Sequence, residues 1–266
     1  LPAITTSWIK GGLKTKLQKR VEKYWTGSAQ RYSESIQNEL KGFKKDAWIN
    51  LVGKYAPQRK QMEVLDIGTG PGFFAIILAS LGHKVTAIDC TEEMLAHARR
   101  NAEREGVAPD FRKMDCQKLD LESNSFDLIL CRNLTWILKE PEVAYLEWHR
   151  VLKPGGRLLV FDANWHLRLF DAEMQRRYEE DQKTADEMGM ENPHKNTDTE
   201  ESDRISRELP LSREVRPQWD FSALRGSGFS YIFSENNIAE QVWDVAEQIL
   251  YRSTPMFLVG GEKLGD

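Results

Sequence analysis

The sequence predicts a doubly wound α/β fold, on three observations. The first is a strand–glycine turn–helix unit at Glu63-Val-Leu-Asp-Ile-Gly-Thr-Gly-Pro-Gly72. The second is the alternation of strand and helix patterns that follows it up to residue 161. The third is a set of polar residues at successive strand ends: Asp66, Asp89, Asp115 and Asn133.

Val64, Leu65 and Ile67 suit a strand covered on both faces. Gly68, Gly70 and Gly72 allow a sharp turn and a close ligand approach. The apolar run Phe73 to Leu81 continues as a helix that Gly82 ends. Such a turn is where a doubly wound sheet holds a nucleotide-like cofactor. The dinucleotide fingerprint requires G-x-G-x-x-G, but here the spacing is G-x-G-x-G, with Phe73 in the place of the third glycine. A carboxylate at Asp66 would repel a pyrophosphate and suits an ammonium or sulfonium group. Charge therefore favours S-adenosylmethionine over NAD.

His83 to Asp89 reads as the second strand. Asp89 stands about 20 residues beyond the turn, where an acidic residue can take ribose hydroxyls. Thr91 caps a helix through Met94, Leu95 and Ala98 that stops near Gly106. Strands follow at Asp110–Met114, ending in Asp115-Cys116, and at Phe126–Cys131, ending in Arg132-Asn133-Leu134. Pro141 opens a helix with apolar residues Ala144, Trp148, Val151 and Leu152 at helical spacing. Lys153 to Arg157 is expected to turn into a fifth strand, Leu158–Phe161.

This succession resembles the class I S-adenosylmethionine-dependent methyltransferases. The resemblance rests on Val64 to Gly72, Asp89, Asp115, Ser125 to Ile129 and Arg150 to Gly156, and covers about residues 60–165. It implies a seven-stranded, mostly parallel sheet with an antiparallel last strand, and a cofactor lying across the carboxyl strand ends. Gly68, Gly70 and Gly72 would pass under its methionine part, with Asn133 nearby. Asp89 would bind the ribose, and Asp115 and the Cys116 backbone would face the adenine. Asp66, Thr69, Cys90 and Met94 join the same cofactor set.

Residues 1–58 are expected to form a helical cap and residues 59–266 the cofactor-binding domain, with an insertion at 164–216. In the cap, Ile9, Leu13, Leu17, Val21 and Trp25 recur every four residues opposite a lysine- and arginine-rich face. That pattern suits a cap helix better than a membrane-surface helix. Tyr32, in Tyr24 to Tyr32, is either a cofactor contact or a core aromatic. The insertion has a helix, Leu167 to Met188, and an acidic stretch, Glu191 to Asp203. Its position after the fifth strand suits a lid. A helix, a strand (Phe229–Ser234), a helix (Ala239–Tyr251) and a last strand (Met256–Val259) complete the chain.

Catalytic candidates must lie at the strand ends facing the methyl group. His166 is the natural general base, since its ordinary pKa is near neutral, and Asp162 is the alternative. Trp136, Asn164 and Trp165 are candidate substrate contacts; with Phe170, the two tryptophans form either a cage or ordinary packing. Asn133, Asp162 and Asn164 faintly resemble the magnesium site of catechol-type O-methyltransferases. An amide replaces a carboxylate there, so no metal is expected. Cys90, Cys116 and Cys131 lack C-x-x-C spacing and read as reduced, semi-buried thiols.

At 266 residues the chain can bury a substantial core, and its net charge of −4 argues against a general nucleic-acid binder. The base-methylating Asn/Asp-Pro-Pro-Tyr motif is missing where Arg132-Asn133-Leu134-Thr135 stands, as is the paired-glutamate hairpin of the arginine methyltransferases. The expected activity is O- or N-methylation of a small molecule. C-methylation of a quinone precursor and cofactor binding without catalysis are the alternatives. No signal peptide or membrane span is read, and a cytoplasmic location is expected. A chain opening on Leu1 is expected to be trimmed at its start, and self-association is left open.

Overall fold

The computed structural model describes residues 4–190 and 198–265, with side chains from residue 16 onward. Two helices, α1 (Ile4–Lys41) and α2 (Phe43–Tyr55), precede the sheet. Then follow β1 (Glu63–Ile67), α3 (Phe73–Ser80), β2 (Lys84–Asp89), α4 (Glu92–Arg104), β3 (Asp110–Lys113), β4 (Phe126–Arg132), α5 (Pro141–Val151) and β5 (Leu152–Asp162). The insertion holds α6 (Ala172–Glu187) and α7 (Thr199–Ser206). The chain closes with α8 (Gln218–Gly226), β6 (Ser230–Glu235), α9 (Ala239–Val242), α10 (Val245–Leu250) and β7 (Phe257–Glu262).

The strands form one seven-stranded sheet in the order β3-β2-β1-β4-β5-β7-β6. β7 runs antiparallel to both of its neighbours. The order reverses between β1 and β4, so their carboxyl ends open a crevice at the switch point. Both faces are covered, and side chains alternate between them. Val64, Leu128, Leu130, Leu159 and Phe161 face the layer of α2 and α3. Leu65, Ile67, Ile129, Leu158 and Val160 face Tyr145 and Trp148 of α5. Trp48, Phe74 and Phe161 meet edge-on or tilted, with ring centres 5.0–5.6 Å apart, and anchor the first layer.

Several local expectations change. The turn placed at 153–157 lies inside β5, which already pairs with β4 at Leu152 and shifts register before Arg157. Gly155 donates to the Lys263 carbonyl and Gly156 accepts from the Lys263 amide, so strand-like pairing continues through the glycines. The helix expected over 239–251 breaks at Trp243-Asp244, because Asp244 and Glu247 form a capping box that starts α10. The Thr91 hydroxyl makes no cap bond to α4; Asp89 accepts from the Thr91 amide instead. The acidic stretch is helical from Thr199, capped by Asp198. Residues 191–197 of that stretch lie outside the described residues, as do the side chains of Ile9 and Leu13. Among the described residues no helix is long and apolar enough to cross a membrane.

Candidate cofactor and active site

The turn after β1 is held from both sides. Gly68, Gly70 and Gly72 have φ of +64°, +52° and +95°, in the left-handed region. A Cβ at Gly68 would come 2.6 Å from Leu134, and one at Gly70 would come 3.3 Å from the Tyr32 ring. Gly72 serves differently: a Cβ there would meet Ala98 at 3.1 Å, so this glycine lets α4 pack against the turn. Asp66 is buried and braces the loop, its Oδ2 accepting from Thr69 Oγ1 (2.6 Å) and the Ala75 amide (3.0 Å). Burial pushes its pKa up to about 6, against the opposing pull of those two bonds. Asp89 reaches across from β2, with Oδ2 accepting from the Gly70 amide (3.0 Å) and Oδ1 from the Thr91 amide (2.8 Å). Burial raises its pKa as well.

Two cavities meet at Gly68. One is lined by Tyr32, Asp66, Gly68, Thr69, Phe73 and Arg132, among others. The other is lined by Gln18, Val21, Asp89, Cys90, Asp115 and Cys116, with Gly68 and Leu134. Eight of the twelve expected cofactor residues are thus brought together. Gly70 and Gly72 shape the turn without lining either cavity, and Met94, buried in α4, lines neither. Asn133 is held with φ of +55° by its amide bond to the Phe161 carbonyl (2.9 Å), and its Oδ1 is buried without a protein partner.

Arg132 is a site residue that the sequence did not announce. Its guanidinium pairs with Glu39 of α1 at 2.8 Å and lies over the Phe73 ring at 4.6 Å. Glu39 is far away in sequence, so only the fold reveals the pair. Burial raises the Tyr32 pKa, with the Arg132 charge opposing. The three thiols are protonated: burial pushes Cys90 up to about 11 and raises Cys116 and Cys131 well above the ordinary thiol value. Among the described residues, no three His, Cys, Asp or Glu side chains gather as a metal site.

The carboxyl end of β5 is built differently. Asp162 is fully buried, and its Oδ1 accepts from the Ala163 amide (2.9 Å) and Trp165 Nε1 (3.0 Å). Its Oδ2 takes the Thr135 hydroxyl, the Trp136 amide (3.1 Å) and Arg216 Nη1 (3.0 Å). Arg216 also grips Asp220 with two bonds, and Asp220 accepts from the Tyr145 hydroxyl at 2.6 Å. A carboxylate with five donors and a buried cation is a strut, so the structure withdraws Asp162 as a base. Arg216, too, went unread in the sequence, since its tie to β5 runs to Asp162, 54 residues away, although Asp220 stands only four residues on.

The other candidates on this side are also engaged in packing. His166 lines neither cavity; its ring lies 4.6 Å from Trp136 and its Nδ1 3.7 Å from Asp203. At that distance the Nδ1 atom makes no hydrogen bond, and burial lowers the His166 pKa. The ring is therefore neutral and turned into the insertion, which removes the geometric basis for a general base. Trp136 packs with Leu17, Val21, Ile205 and Leu209. Asn164 exchanges two bonds with the Arg216 backbone, and Trp165 packs on Trp243 and Tyr251. Between cage and packing, the structure selects packing for both tryptophans.

The sheet order and the crevice at its switch point define a Rossmann-like α/β fold. Residues 65–160 match the methyltransferase domain family. The phosphatidylethanolamine N-methyltransferase of Cereibacter sphaeroides is 36% identical over 99 residues, covering 36% of this chain and 48% of the relative. A ubiquinone biosynthesis O-methyltransferase of Pseudomonas aeruginosa is 34% identical over 103 residues, covering 38% and 44%. The tRNA 5-carboxymethoxyuridine methyltransferase of Escherichia coli is 33% identical over 147 residues, covering 52% and 55%. Among solved structures, phosphoethanolamine N-methyltransferase 2 of Haemonchus contortus superposes with a TM-score of 0.57 at 15% identity, covering 82% of this chain and 52% of that one. The chain spans about half the length of the curated relatives it matches. Over residues 65–160 the chain is similar to the methyltransferase domain, and the relatives it matches are methyltransferases.

Proposed function

We propose that the protein transfers the methyl group of S-adenosylmethionine to an oxygen or nitrogen atom of a small molecule. The observation that carries this reading is the pair of cavities meeting at Gly68, with a carboxylate at the end of each flanking strand. The residues fit the cofactor. Gly68 and Gly70 leave backbone where a Cβ would not fit, and the Asn133 Oδ1 is a buried acceptor without a partner. Asp89 would hold the ribose hydroxyls, Asp115 and the Cys116 backbone the adenine, and Asp66, Thr69, Tyr32 and Asn133 the methionine end. When bound, the cofactor supplies an activated methyl group on a sulfonium.

The chain's own contribution is alignment and electrostatics. Asp66 and Asp89 offer negative charge to a cationic ligand in a site sheltered by Tyr32, Val21 and Leu134. With Asp162 and His166 engaged elsewhere, the acceptor brings a lone pair that needs no proton removed by either. The N- and O-methylating relatives support both acceptor atoms. The tRNA methyltransferase relative supports a second reading, with tRNA as acceptor, against which the net charge of −4 weighs. The deciding experiment supplies methyl-labelled cofactor with a small-molecule extract or with bulk tRNA. Label in the extract is expected; label confined to tRNA would overturn the small-molecule assignment.

A further inference from the structure

α1 is anchored differently on the two sides of Gly27. Beyond it, the helix belongs to the domain: Ile36 and Leu40 sit in the main core. Asn101 Nδ2 donates to Ser33 Oγ (3.1 Å) and to the Pro71 carbonyl of the glycine turn (3.0 Å), and Glu39 holds Arg132. Before Gly27, the packing shifts to the insertion. Leu17 and Val21 pack with Trp136, Ile205 and Leu209 in a separate small cluster. Arg20 bridges Glu201 in α7 (2.8 Å) and Glu208 just after it. The same segment walls the Asp89 cavity through Gln18 and Val21.

Gly27 lies in the interior of this 38-residue helix, exposed, and a Cβ there would meet nothing within 4 Å. No close packing requires glycine at that position, and glycine weakens a helix interior. The chain therefore has a weak point between its two differently anchored halves. The Arg20 ion pairs are partly exposed, and pairs with that access to water are weak and partly screened by salt, which suits a contact that must release.

We propose that residues 16–26 of α1 and α7 form one gate over the Asp89 side of the cleft, hinged at Gly27 and latched by Arg20, through which the cofactor enters and leaves. The inference rests on the cofactor reading above. Its chemistry is that of a lid: closing excludes water from the site, and opening sets the exchange rate.

The test is stopped-flow tryptophan fluorescence with S-adenosylhomocysteine, since Trp25 and Trp136 lie 6.4 Å apart across the gate. Arg20→Glu should release the ligand about fivefold faster at low salt, and added salt should bring the wild type toward the variant. Gly27→Ala should slow exchange. Hydrogen exchange without ligand gives an independent readout: Arg20→Glu should raise exchange in residues 16–26 and 199–206 together and leave 29–41 unchanged. Equal release rates in Arg20→Glu and wild type, or exchange in one segment without the other, would overturn the gate. If the wild type binds no ligand at all, the cofactor reading fails, and hydrogen exchange alone decides whether the two segments move as one.

Discussion

The two sides of the crevice use the same residue types for opposite purposes. On the β1–β2 side, Asp66 and Asp89 accept bonds from the turn they border and still line open space. On the β5 side, Asp162 is consumed by five donors, and the polar groups of Asn164 and Trp165 are spent on bonds within the domain. A carboxylate at a strand end is thus open to a ligand where backbone amides hold it beside a cavity. Where loops and a buried arginine converge on it, it is a strut. The difference lies in what surrounds the carboxylate, which strand position alone does not specify.

The largest effect should come from breaking the strut. Asp162→Ala leaves Trp165 Nε1, the Trp136 amide and part of Arg216 unpaired and should cost about 3–5 kcal/mol, read by urea denaturation. A fully stable variant that loses only its rate constant would return Asp162 to the chemistry. On the other side, Gly70→Arg forces a side chain into left-handed backbone against Tyr32. It should weaken cofactor affinity by at least ~100-fold, a loss of about 2.7 kcal/mol by titration calorimetry.

The pH dependence sharpens the contrast. Asp66 has its pKa raised from 3.8 to about 6, so burial favours its protonated form. Its contribution to stability is full below 3.8 and falls by roughly 3 kcal/mol as pH rises through about 6. Binding of a cation has the opposite sign, because it needs the ionised carboxylate. Affinity should therefore drop below pH 6 in wild type and show a flatter pH profile in Asp66→Asn, measured calorimetrically from about pH 5 to 8. The smallest effect belongs to His166→Ala: the rate should stay within about twofold with an unchanged pH profile. Loss of an ionisation near neutral pH in that variant would restore the histidine as a base.

The sheet was legible because its signals are local. Val64 to Ile67 needs no distant partner to read as a strand, and the glycine turn carries its own geometry. The same holds for Asp89 and Asp115, each placed by the strand it ends. Boundaries failed where a local competitor was overlooked, as with the Asp244–Glu247 box that splits a helix and the Gly155-Gly156 pair that continues a strand. The β5 side was illegible because roles there are set by Arg216 and by Trp243, Tyr251 and Asp203, all distant in sequence. His166 and Trp165 carry suitable chemistry for an active site, but long-range packing turns them away from it. Arg132 escaped for the same reason, since its meaning depends on Glu39.

The most direct test is calorimetric titration of the wild type and Asp89→Ala with S-adenosylhomocysteine and NAD. The account predicts that wild type binds the first ligand and not the second, and that Asp89→Ala loses about tenfold or more of that affinity. Equal affinity in the variant, or binding of NAD alone, would contradict the assignment of the crevice.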